Sequence, residues 1–110
     1  MTRRFVPLFA AALLAAATAA PVPGLSDIVT DPDERCRLIA MNAEGIMTAR
    51  QIGVPLSDIL AVVNQSADPL WRTLTLEAYS APRYVSQTAQ QRAVDDFRDG
   101  VHVLCLRGNR

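Results

Sequence analysis

Lysine is absent from this sequence, histidine and tryptophan occur once each, and cysteine occurs twice in 110 residues. Each scarcity excludes something. All 11 basic residues are arginines and they do not cluster, so the phosphate contacts of a nucleic-acid binder have no patch to form on. The missing lysine itself reads as compositional drift toward arginine and alanine. The lone histidine, His102, would have to carry any histidine-dependent mechanism by itself. It falls on a charged helical face beside Asp99, which is an ordinary exposed pair and not a Ser-His-Asp arrangement. One histidine with scattered carboxylates shows no metal-ligand spacing. No catalytic residue, metal site or cofactor is therefore expected.

Carboxylates remain in number, and Glu44 and Glu77 are the two to weigh for a two-acid glycosidase. Such an enzyme needs an acid of raised pKa facing a second carboxylate across a substrate cleft. A chain this short, largely committed to a core, leaves little room for one. Glu44 is assigned to a solvated face and Glu77 to the rim of a helix.

Long apolar runs are missing except at the start. Arg3 and Arg4 precede an apolar run from Phe5 to Ala17, and Ala17-Thr18-Ala19 fits a small-x-small cleavage site. Residues 1–19 thus read as a secretory signal peptide, and the run is shorter than the roughly 20 residues a membrane span needs. The general secretion route is expected, the spacing after the arginines being poor for a twin-arginine signal. The expected mature chain, Ala20 to Arg110, has 9 arginines against 11 acidic residues, a formal charge of −2. No stable membrane insertion is expected after cleavage, and the location is periplasmic or secreted.

A domain of this size buries only about 60 to 65% of its unfolded surface and wants a staple. Cys36 and Cys105 supply an even count in an exported chain, with no CxxC pattern to favour a redox or metal role. The loop they would close, roughly 70 residues, is worth on the order of 4 kcal/mol in the chain-entropy model.

Residues 20–30 carry two prolines and a glycine and read as an extended lead-in to a helical domain over 31–110. Asp31-Pro32-Asp33-Glu34 is a helix start and Gly53 with Pro55 a stop. Between them Cys36, Ile39, Ala40, Ala43, Ile46 and Met47 share one arc, and Leu38, Met41, Gly45, Ala49 and Ile52 the opposite one. Arg37, Glu44, Thr48 and Gln51 form a narrow polar wedge. This helix is expected to be central, with neighbours on most sides. A short helix follows from Leu56 to Asn64 with Ser57 as its cap. A third opens at Asp68-Pro69 and ends before Pro82; the alternation of Thr73 to Leu76 would suit a strand, but no second strand exists to pair with it. Tyr79 to Val85 is a connector. The last helix runs from Ser86 or Thr88 to about Arg107, with a capping box at Thr88-Ala89-Gln90-Gln91. Antiparallel packing of the first and last helices would bring Cys36 and Cys105 together. The fold class is all-α: a small bundle of about four helices around a central N-terminal helix, stapled by one disulfide.

Arg50 stands out because it falls inside the arc of Cys36, Ala43 and Met47, where an apolar side chain is expected. It either offers a fork to a partner's carboxylate or satisfies helix-end carbonyls and pairs with Glu77 or the hydroxyl of Tyr79. Trp71, Tyr79 and Tyr84 suit either an interface or edge packing. Arg50, Trp71, Tyr79 and Tyr84 are the candidate partner-binding residues.

Cys36, the run Ile46-Met47-Thr48-Ala49-Arg50-Gln51-Ile52-Gly53, then Ala78-Tyr79, Pro82, Phe97 and Cys105 together resemble small exported proteins of proteobacteria and their phages, whose function is generally unknown. The resemblance implies export and paired cysteines and brings no active residues. At the level of fold alone, the chain is also similar to the small disulfide-bonded acid-stress chaperones of the periplasm. The expected role is a non-enzymatic exported helical module that binds a protein or envelope component. The alternative is an acid-responsive periplasmic holdase, since protonating the acidic residues would leave the arginines unbalanced. Nothing in the pattern specifies an oligomeric state.

Overall fold

The computed structural model describes residues 31–108, so the signal peptide and the lead-in, residues 1–30, lie outside the described residues. Four helices follow one another: α1 Pro32–Ile52, α2 Leu56–Val63, α3 Pro69–Ser80 and α4 Gln87–Gly108. No strand occurs among the described residues, and Thr73 to Leu76 lie within α3.

The starts of α1 and α3 follow one chemical pattern. Asp31 and Asp68 hold extended backbone, their carboxylates accept the N–H of Asp33 (3.1 Å) and Leu70 (2.9 Å), and Pro32 and Pro69 fill first positions that need no donor. α1 stops at Gly53, where φ is 92°. The N–H of Gly53 donates to the carbonyl of Arg50 and that of Val54 to Ala49, the paired bonds of a Schellman motif. Two expected caps differ. α2 begins at Leu56 after Pro55 with no side-chain cap, so Ser57 is already inside it. α4 is capped by Ser86, whose hydroxyl accepts the N–H of Ala89 at 3.1 Å, and Thr88 sits in its first turn.

α1 touches each of the other three helices and is the hub of the bundle, with α4 its main neighbour and α3 the next. Its buried positions are Cys36, Ile39, Ala40, Ala43, Met47 and Gln51. Met47 meets Ala78 of α3 and Val94 of α4, with Ile46, Tyr79, Ala93 and Phe97 packed around them. Ala40, Ala43 and Ala78 keep the helix axes close, so the core is thin.

The disulfide between Cys36 and Cys105 ties the first turn of α1 to the last turns of α4, with Cα atoms 5.5 Å apart. It joins an N-terminus to a C-terminus, which fixes the antiparallel pairing of the two long helices. A second tie lies further along the same pair. Arg98 of α4 donates to Glu44 of α1 at 3.2 Å, to Asp95 at 3.2 Å and to Asp99 at 2.9 Å. Glu44 therefore bridges helices where only a solvated face is expected.

The expectation that α1 is covered on most sides is not met. Its second apolar arc is open: Met41 is 54% exposed, Ile52 65%, and Gly45 is exposed between them. The reason is arithmetic of layers. Three helices, one of only eight residues, cannot surround a fourth, and α2 reaches α1 through few residues.

Candidate functional site

The four candidate binding residues separate into two places. Arg50, Tyr79 and Tyr84 belong to a polar clasp where the end of α1 meets the α3–α4 connector; Trp71 belongs to an apolar cleft on the outer side of α1.

In the clasp each side supplies what the other lacks. The connector, residues 81–86, has no ladder of its own, and α1 ends with orphan carbonyls. Arg50 donates its Nε to the carbonyl of Ala81 at 3.0 Å and lies 5.5 Å from the centre of the Tyr79 ring. Gln51 donates Nε2 to the carbonyl of Pro82 at 2.8 Å and accepts the N–H of Tyr84 on Oε1 at 2.9 Å. In return, Arg83 donates to the carbonyls of Gln51 (3.1 Å) and Ile52 (3.4 Å), and the Tyr79 hydroxyl donates to Val54 at 2.7 Å. Gln90 of α4 closes the set by donating to the carbonyl of Tyr84 at 2.7 Å.

Inside the fold, Arg50 is thus held by a carbonyl and a ring face, not by Glu77, which is exposed, nor by the Tyr79 hydroxyl. Burial raises the Tyr79 hydroxyl above its ordinary pKa, against a smaller opposing pull from the Arg50 charge. That keeps the phenol protonated and able to donate to Val54. Tyr84 is 41% exposed, its ring outside while its backbone is bonded on both sides.

Gln51 and Arg83 are the clasp residues that sequence reasoning missed. Gln51 is placed in the polar wedge by its chemical type, yet its helical angle puts it beside Ala40 and Met47, and it is only 1% exposed. The angle was the available signal.

The second place is a cleft of about 450 Å³ lined by Met41, Gly45 and Ile46 of α1, Ile59 and Val62 of α2, and Trp71 of α3. Its origin lies in α2. Six of the eight residues of LSDILAVV are apolar, yet none is buried, and Val62 is 65% exposed. One side of α2 packs on α3, and the side toward α1 stops short of contact, leaving a trough with apolar walls. Arg37 at its rim is paired bidentately with Glu34, whose carboxyl this holds below its usual range, and also contacts the Met41 sulfur at 3.3 Å.

Neither place assembles a reaction centre. The clasp guanidinium groups are spent on backbone carbonyls, and Arg98 on carboxylates. Among the described residues no group of three or more His, Cys, Asp or Glu is placed to hold a metal ion, and no helix is long and apolar enough to cross a membrane. Compared with known proteins, the chain matches no family model, no curated protein and no solved structure.

Proposed function

We propose that the protein is a non-enzymatic, exported docking module whose binding surface is the outer face of α1 together with α2. The observation that carries this reading is the exposed apolar wall itself. Met41, Ile52 and Val62 are each more than half exposed on neighbouring elements, and Trp71 lies half-buried at the cleft. In a thin-cored domain, apolar groups left outside are the ones free to contribute to association. A half-covered tryptophan with flanking aliphatics is the composition of an interface centre. Export is supported by the disulfide, which persists outside the reducing cytoplasm. The partner is a protein or an envelope component presenting an apolar segment. Of the candidate residues, Trp71 takes the direct role. Arg50 and Tyr79 keep the connector in place, and Tyr84 offers its ring at the far end of the bundle.

The test compares the native chain with Val62→Asp and Met41→Glu in a crosslinking pull-down from periplasm at neutral pH. Both positions are exposed, so both variants fold. A dominant crosslinked partner that disappears in both variants supports the reading; capture indifferent to both removes it. Repeating the capture near pH 3 bears on the holdase alternative, which expects many clients in acid only.

A further inference from the structure

The open arc of α1 is symmetric about its own centre. Met41 and Ala49 lie four residues to either side of Gly45, and Leu38 and Ile52 seven to either side. At 100° per residue all five fall within about 40° of the Gly45 direction. A two-fold axis through Gly45 would lay a second copy of α1 antiparallel across the first. It would set Gly45 against Gly45, Met41 against Ala49, and Leu38 against Ile52 of the other copy. Each large side chain then meets a small or matching one, which is what an isologous contact requires. Met41, Gly45 and Ala49 also form one i±4 ridge, the row that interdigitates in the commonest class of helix crossing.

Gly45 fits this role and no other on the page. A Cβ built there meets nothing within 4 Å, so the fold does not need glycine at that position. A glycine in an exposed helix interior weakens the helix, and its one geometric benefit is to let another backbone come close. From these observations we infer that the outer face of α1 is a homodimer interface, with a second copy of this chain as its occupant. This rests on the reading of that face as a docking surface and names the partner.

Area sets the strength. From Leu38 to Ile52 the helix rises about 21 Å, and a strip about 10 Å wide along it offers roughly 200 Å² per copy. Val62 and the cleft rim enlarge it, but the total stays below the roughly 1,200 Å² of a standard specific interface. The dimer is weak, forming at roughly hundreds of micromolar and separating on dilution.

The experiment is sedimentation velocity on the oxidised chain Ala20 to Arg110 from about 5 to about 500 μM, a range that brackets weak interfaces, beside Gly45→Gln. The wild type is expected to shift from monomer to dimer, and Gly45→Gln to stay monomeric with an unchanged circular dichroism spectrum. Register is read by thiol crosslinking. G45C should link to itself, and M41C should link to A49C in a mixture far more than to another M41C. A wild type that is monomeric throughout overturns the inference, as does a dimer that Gly45→Gln leaves intact or one whose crosslinks follow another register. Should the wild type stay monomeric while Val62→Asp abolishes capture of a foreign partner, the homodimer fails and the docking surface stands.

Discussion

The carboxamide of Gln51 is bonded at both ends to the connector it faces: Oε1 takes the N–H of Tyr84 at 2.9 Å while Nε2 reaches Pro82 at 2.8 Å. A loop crossing a helix end has backbone groups that neither helix can satisfy, and one buried amide supplies a donor and an acceptor together. Replacing it by leucine keeps the volume and leaves one N–H and one carbonyl without partners. At about 1 to 3 kcal/mol for an unsatisfied buried group, Gln51→Leu is expected to cost about 2 to 4 kcal/mol. Urea unfolding followed by circular dichroism measures it. A loss under about 1 kcal/mol would mean that water replaces the amide and the clasp is not a structural tie.

Two glycines of α1 and its cap should respond in opposite directions to the same substitution. At Gly53 the backbone is left-handed, and a Cβ would stand 2.7 Å from the Arg83 guanidinium that bonds the helix end. Gly53→Ala is expected to destabilise by about 1 to 2 kcal/mol, from strain and from displacement of Arg83. At Gly45 the helix is ordinary and the space open, so Gly45→Ala should stabilise the monomer by up to about 1 kcal/mol. Thermal unfolding at low micromolar concentration reads both. Equal losses at the two sites would show that Gly45 carries a constraint inside the monomer.

The helices were legible because their ends are punctuated by chemistry that acts locally. Asp31-Pro32, Asp68-Pro69 and Gly53 each do in the structure what their backbone preferences dictate. The staple was legible because two cysteines on the first turn of one helix and the last turns of another have one way to meet. Coverage was not legible. Periodicity shows that Met41, Gly45 and Ile52 share a face, but whether a neighbour lies on that face depends on how far α2 reaches, which no local pattern encodes. Gln51 was obscured by its type, and Arg83 by its place in a connector without periodicity. Ser86 and Thr88 are both good caps two residues apart, and the Gln90 that would complete a box on Tyr84's side instead bonds that residue's carbonyl. The aromatic and arginine candidates stood out by residue type, which cannot separate a clasp from a cleft.

With so thin a core, the disulfide carries much of the stability. It closes a loop of 69 residues, for which chain entropy alone predicts about 4 kcal/mol. Small domains seldom exceed the lower end of the usual 5 to 15 kcal/mol range. Reduction, or Cys36→Ala combined with Cys105→Ala, is therefore expected to leave the chain substantially unfolded near body temperature. Urea curves with and without reductant decide it. A reduced chain with an unchanged midpoint would place the stability in the helix packing.

Acid should loosen the α1–α4 pair through Arg98. Its hydrogen bond holds Asp99 below the usual carboxylate range, with a smaller contribution from His102, and it also binds Glu44 and Asp95. A carboxylate whose folded pKa is depressed contributes stability above its unfolded pKa, and that contribution is lost as pH falls through the folded value. The melting temperature should therefore hold level from neutral pH to about 5 and fall below about 4. Arg98→Gln should lower the neutral plateau slightly and flatten the acid limb, because the carboxylates it held would titrate alike in both states. Parallel curves for the two proteins would remove Arg98 as the acid-sensitive tie. If the wild type alone exposes dye-binding surface near pH 3, the acid-responsive reading gains its mechanism: losing this tie, while the disulfide keeps the helix ends joined, frees the core face of α1 without unfolding the chain.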